Sequence, residues 1–88
     1  MTADHAEKLE DQIARLAAAA DAAANRRAEQ ERRRLGLPTP GSTRWRGKHR
    51  AWLAHYLALA RQEERIKRQP QIDRLTRKLD RLNAGKSP

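Results

Sequence analysis

The chain has no cysteine, no valine and no phenylalanine, and each absence closes off a class of structure. Without cysteine there is no disulfide framework and no thiolate zinc site. Strands favour β-branched and aromatic residues; here there are three isoleucines, four threonines, two tryptophans and one tyrosine, too few to expect a sheet. No apolar run approaches the length of about 18 residues that spans a bilayer. The first residues lack the basic region and apolar stretch of a secretory signal. A cytoplasmic protein with no membrane role is the expectation.

Catalytic machinery is equally scarce. The histidines are His5, His49 and His55. The last two are six apart, about 240° around a helix, and so cannot share a metal from one face. Serine occurs only at 42 and 87, with no positioned base. Tyr56 falls in an apolar stripe, as a packing residue would. No glycine-rich phosphate loop exists, and the adjacent Glu63 and Glu64 each have a cation four residues on. The sequence predicts a non-enzyme with no metal, no cofactor and no small-molecule substrate.

What remains is helix-forming and basic. The 33 apolar residues comprise sixteen alanines, Met1 and sixteen larger side chains. A fully buried large side chain contributes roughly 1.5–3 kcal/mol, while ordering each residue's backbone costs about 1–2 kcal/mol. So thin a core calls for self-association or a protein partner. Ala, Leu, Arg, Glu, Lys and Gln dominate, and all are good helix formers. The fold class expected is all-α: a long, coiled-coil-like helical hairpin with a third C-terminal helix or a Pro-kinked extension.

The first helix is expected over about 3–35. Asp4 and Glu7 have the spacing of a capping box, and Ala6, Leu9, Ile13, Leu16, Ala20 and Ala23 follow one stripe. Arg32, Arg33 and Arg34 suit the negative end of the helix dipole. Gly36 fits the left-handed position beyond the helix, and Pro38 bars its continuation. Residues 36–43, with two glycines and two prolines, form the loop. Ser42 or Thr43 is placed to cap a second helix over about 44–69, although Gly47 weakens its first turn and could defer its start. Trp45, His49, Trp52, Tyr56, Leu59, Glu63 and Ile66 make a heptad-like seam, widened by Leu53, Leu57 and Ala60. Pro70 either opens a third helix over about 70–83 or kinks a continuous one. Ile72, Leu75, Leu79 and Leu82 line a narrow interaction seam there, and residues 84–88 are expected to fray.

Charge is distributed unevenly. Residues 1–24 carry net −3, residues 25–69 net +9 and residues 70–88 net +3, giving +9 for the chain. Arg26, Arg27, Arg32, Arg33 and Arg34 close the first helix, and Arg44, Arg46, Lys48 and Arg50 open the second. A short loop brings both clusters, with Trp45, to one tip. The leading expectation is a basic nucleic-acid-binding accessory protein, of mobile-element or regulatory type, gripping mainly the phosphate backbone of DNA or RNA. Trp45 has the further option of stacking on a base. The competing expectation is a coiled-coil assembly or inhibitor protein. It would engage a larger partner through the Leu/Ile seam and the basic tip.

Overall fold

The computed structural model describes the backbone of residues 2–85 and the side chains of residues 4–85. Two helices, α1 (Thr2–Leu35) and α2 (Gly47–Ala84), pack against each other, and no strand is present among the described residues. They form a hairpin 60 × 21 × 17 Å in extent. Its radius of gyration is 18.4 Å, against about 12 Å for a globular chain of this length. The accessible surface is 6717 Å², against roughly 5,300 Å² for a globule of the same mass.

The end of α1 follows from its composition. Gly36 takes φ 68°, where a side chain would be strained. Its N–H donates to Arg33 O at 3.1 Å, and Leu37 N–H donates to Arg32 O at 3.0 Å. These two bonds are a Schellman motif and satisfy the last carbonyls of the helix. Thr39, Pro40, Gly41 and Ser42 then form a turn, with Gly41 at φ 84° and Ser42 N–H donating to Thr39 O at 3.0 Å. Pro at the second and Gly at the third position suit a type II turn.

The loop is longer than expected, and α2 starts at Gly47. Neither Ser42 nor Thr43 caps it. Arg46 is the N-cap residue, and its backbone N–H donates to His49 Nδ1 at 3.0 Å. A side chain three residues into the helix thus reaches back to the cap, as a capping-box Glu or Gln does. At the other boundary, no third helix separates at Pro70: α2 runs through it to Ala84. Pro70 is exposed, so the carbonyl of Ile66, left without its i+4 donor, has access to water. Ala84 closes the helix, and residues 86–88 of the tail expected to fray lie outside the described residues.

The interior is made of small side chains. Ala6, Ala20, Ala23, Ala24 and Ala28 of α1 are buried, as are Ala60 and Glu64 of α2, and no large side chain is fully buried among the described residues. Ala20, Ala24 and Ala28 recur every four residues and so lie along one face. The larger residues Leu9, Ile13, Leu16, Leu53, Leu57, Ile72, Leu75, Leu79 and Leu82 are half-buried.

The heptad-like seam read over 45–66 packs only in its first half: Trp45, His49, Trp52 and Tyr56 are half-buried, and Trp52 shares a groove with Leu35 and Leu37, but the seam leaves the interface beyond Tyr56. Leu59 and Ile66 remain 48 % and 62 % exposed, whereas Ala60 and Glu64 face α1. The stripe that turns inward is Leu53, Leu57, Ala60 and Glu64, at 4-3-4 spacing. It prevails because Ala60 lets α1 approach closely and Glu64 finds a cation there.

Two substitutions test this packing by urea unfolding. Ala24→Leu inserts bulk into a fully buried position and is expected to cost about 1–3 kcal/mol, while the exposed Ala22→Leu stays within about 0.5 kcal/mol of the parent. Pro70→Ala restores a helix-interior hydrogen bond and is expected to stabilise the chain by about 1–3 kcal/mol.

Candidate nucleic-acid interface

The loop end of the hairpin gathers most of the expected binding residues, but the two clusters differ in their pairing. Arg32 is spent inside the chain. Its side chain is 12 % exposed; Nε donates to Glu29 at 3.0 Å and Nη1 to the Leu37 carbonyl at 2.9 Å. It therefore braces the loop against α1. Arg33 reaches Glu29 at 3.1 Å, and Arg34 pairs with Glu31. The hydrogen bond from Arg32, helped by Arg33, pulls the Glu29 carboxyl down to about 2. Arg34 likewise lowers that of Glu31.

Arg27 does not belong to the tip at all. It crosses to α2, with Nη2 donating to Glu63 at 2.8 Å and Nη1 to Glu64 at 2.9 Å. Both carboxylates hold its guanidinium charged well above the ordinary arginine range, Glu63 most strongly. Glu64 is the hub of this contact, with a side chain only 6 % exposed. It also accepts from Lys67 at 3.0 Å and from Arg68 Nη1 at 2.9 Å, while Arg68 bonds the Glu64 carbonyl as well. These donors, Arg68 first, then Lys67 and Arg27, lower the Glu64 carboxyl to about 2 against the opposing effect of burial. Of the i,i+4 pairs the sequence offers, Glu29–Arg33 and Glu64–Arg68 form, whereas Glu63 turns to Arg27 across the helices.

The opening of α2 is different. Arg44, Arg46, Lys48 and Arg50 are exposed, and among the described residues no carboxylate pairs with them. The same holds for Arg26, two turns back on α1. Counting Glu29 and Glu31 against Arg32, Arg33, Arg34 and these four, the segment 29–50 carries net +5. Trp45 sits among the unpaired cations, half-buried, with its ring stacked on His49 at a centroid distance of 5.4 Å. One histidine thus caps α2 and anchors the tip's aromatic side chain.

The seam residues Ile72, Leu75, Leu79 and Leu82 are half-buried. Leu75 shares a groove with Leu16, and Leu82 shares one with Leu9, so part of this seam is used within the hairpin. Among the described residues no three or more of His, Asp and Glu come close enough to hold a metal ion, and no helix is long and apolar enough to cross a membrane. No protein-family model, curated protein or solved structure matches this chain.

Sequence reasoning missed Glu64 as the buried hub. Its signal is present all the same: Glu64 lies four residues after Ala60 and seven after Leu57, on the stripe that proves to face α1.

The clamp has a pH signature. The folded-state Glu64 carboxyl lies below the ordinary 4.5. Its contribution is therefore complete above about pH 5 and is lost as pH falls towards 2. The urea midpoint is expected to drop across that interval. Glu64→Gln should lower the midpoint at pH 7 more than Glu63→Gln and leave a shallower acid dependence. Midpoints measured from pH 7 down to pH 2 check both.

Proposed function

We propose that the chain is a nucleic-acid-binding accessory protein that grips the phosphate backbone with the loop end of its hairpin. The observation that carries this reading is the run Arg44, Arg46, Lys48 and Arg50: four exposed cations with no carboxylate partner among the described residues. Cations already satisfied inside a protein gain little from a phosphate, whereas unpaired ones release condensed counterions on binding. Arg33 and Arg34, exposed although paired with Glu29 and Glu31, extend the same surface. Arg27 and Arg32 are withdrawn from the proposed interface, because each holds the hairpin together.

The mode of binding follows from the scaffold. The tip presents point charges from the loop and the exposed first turn of α2, with one half-buried indole among them. Contacts to phosphate fix position and carry little sequence information. Binding is thus directed at the backbone, with weak sequence preference. Trp45 is held by His49 and adds an apolar face beside the phosphates.

Titration with a DNA duplex and an RNA duplex over a range of salt concentrations tests the reading. Four neutralised phosphates give B-DNA a slope of log affinity against log salt of about −3.6. That is a loss of roughly 100-fold between about 50 and 200 mM salt. Replacing Arg44, Arg46, Lys48 and Arg50 together by alanine should remove most of this slope while the far-UV circular dichroism is unchanged. Affinity that ignores salt, or that survives the quadruple substitution, contradicts the proposal.

A further inference from the structure

A second surface lies at the opposite end of the hairpin, away from the tip. Two grooves run between α1 and α2 there, of about 520 and 560 Å³. Gln12 and Lys78 border both, so they form one continuous trough. On α1 it extends from His5 to Ala19, about 21 Å at the helical rise of 1.5 Å per residue. Its floor is set by Leu9 and Leu16 from α1 and Leu75 and Leu82 from α2, all half-buried.

The banks of the trough are cationic. Lys8 and Arg15 stand seven residues apart on α1; Arg74, Lys78 and Arg81 follow at 4-3 spacing on α2. All five are exposed, and none has an ion-pair partner among the described residues. No carboxylate borders either groove.

We propose that this trough is a docking site for an acidic amphipathic helix of a partner protein. Both halves of the surface set the occupant's chemistry. Leucine-sized side chains along one helical face would cover the half-exposed floor, as in helix-in-groove recognition. Carboxylates flanking that face would meet the five cations on the banks. A phosphate backbone satisfies the banks and leaves the leucines uncovered. A second copy of this chain fits poorly for two reasons. Face-to-face pairing would bring two sets of five cations together. The chain's own acidic stripe, Asp4, Glu7 and Asp11, continues into exposed Ala14 and Ala18 and has no large apolar side chain to fill the floor. The proposal stands apart from nucleic-acid binding at the tip, which uses other residues at the other end of the molecule. Together the two surfaces would make the chain a linker between an acidic protein and a polyanion.

The test uses the full chain and a labelled helical peptide of about 18 residues, with leucines at alternating three- and four-residue spacing and glutamates beside them. Fluorescence anisotropy should show saturable binding. A peptide of the same composition with the leucines scattered around the helix should bind at least about tenfold more weakly. Charge reversal of the banks (Arg15→Glu, Arg74→Glu and Lys78→Glu together) should weaken binding by at least about tenfold, with circular dichroism unchanged because all three positions are exposed. Three results would overturn the proposal. One is equal binding of the scattered peptide; another is binding indifferent to the charge reversal. The third is displacement of the peptide by a short DNA duplex that needs the same three cations, which would make the trough a phosphate track. Tip substitutions at Arg44, Arg46, Lys48 and Arg50 should leave peptide binding intact.

Discussion

One buried carboxylate fixes the arrangement of this molecule. Glu64 is the sole buried charged residue among those described, and it accepts from Arg27 on the facing helix and from Lys67 and Arg68 on its own. Alanine surfaces let helices approach closely but have few knobs to resist sliding. A row such as Ala20, Ala24 and Ala28 looks much the same after a shift of one turn. A buried carboxylate does not tolerate that shift, because losing its cationic partner leaves a charge without water or counter-charge. The clamp therefore sets the register that the apolar contacts leave loose. With register fixed, Leu16 comes beside Leu75 and Leu9 beside Leu82, and the basic ends of both helices share one tip.

The chain divides its cations between internal and external use. Arg27, Arg32, Lys67 and Arg68 hold the fold: across the helices, at the loop and around Glu64. Arg44, Arg46, Lys48 and Arg50 at the tip, and Lys8, Arg15, Arg74, Lys78 and Arg81 along the trough, have no internal carboxylate among the described residues. Net charge alone does not separate these groups; only the pairing does. The two unpaired sets also differ in what lies between the charges. A stacked indole and histidine accompany the tip, and leucines accompany the trough.

Much of the fold is legible in the sequence. The helix formers, Gly36 at the left-handed position and the proline- and glycine-rich loop specify the hairpin through local chemistry. What the sequence obscures is decided between the helices. Periodicity on α2 offers two overlapping stripes, one through Leu59 and Ile66 and one through Leu57, Ala60 and Glu64. The larger apolar residues favour the first; close approach of α1 and a cation for Glu64 favour the second. Pro70 misleads for a similar reason. Its penalty is local, and the half-buried Ile72, Leu75, Leu79 and Leu82 beyond it keep the backbone helical. At the tip, composition counts nine cations, but which of them are already paired depends on where Glu29, Glu31, Glu63 and Glu64 reach. His49 is invisible as a cap because the usual residue at that position is Glu or Gln.

Closure of the antiparallel hairpin around the Glu64 clamp is open to a direct distance measurement. The absence of cysteine allows spin labels to be placed uniquely at the exposed Gln30 and Gln62, diluted with unlabelled chain so that only distances within one molecule are read. A closed hairpin with axes about 8–10 Å apart keeps these labels within roughly 25 Å. Moving the first label to Gln12 adds on the order of 27 Å along the helix. A short Gln30–Gln62 distance and a long Gln12–Gln62 distance are the predicted result. Two long distances, or a short one that vanishes on dilution with unlabelled chain, would contradict the account.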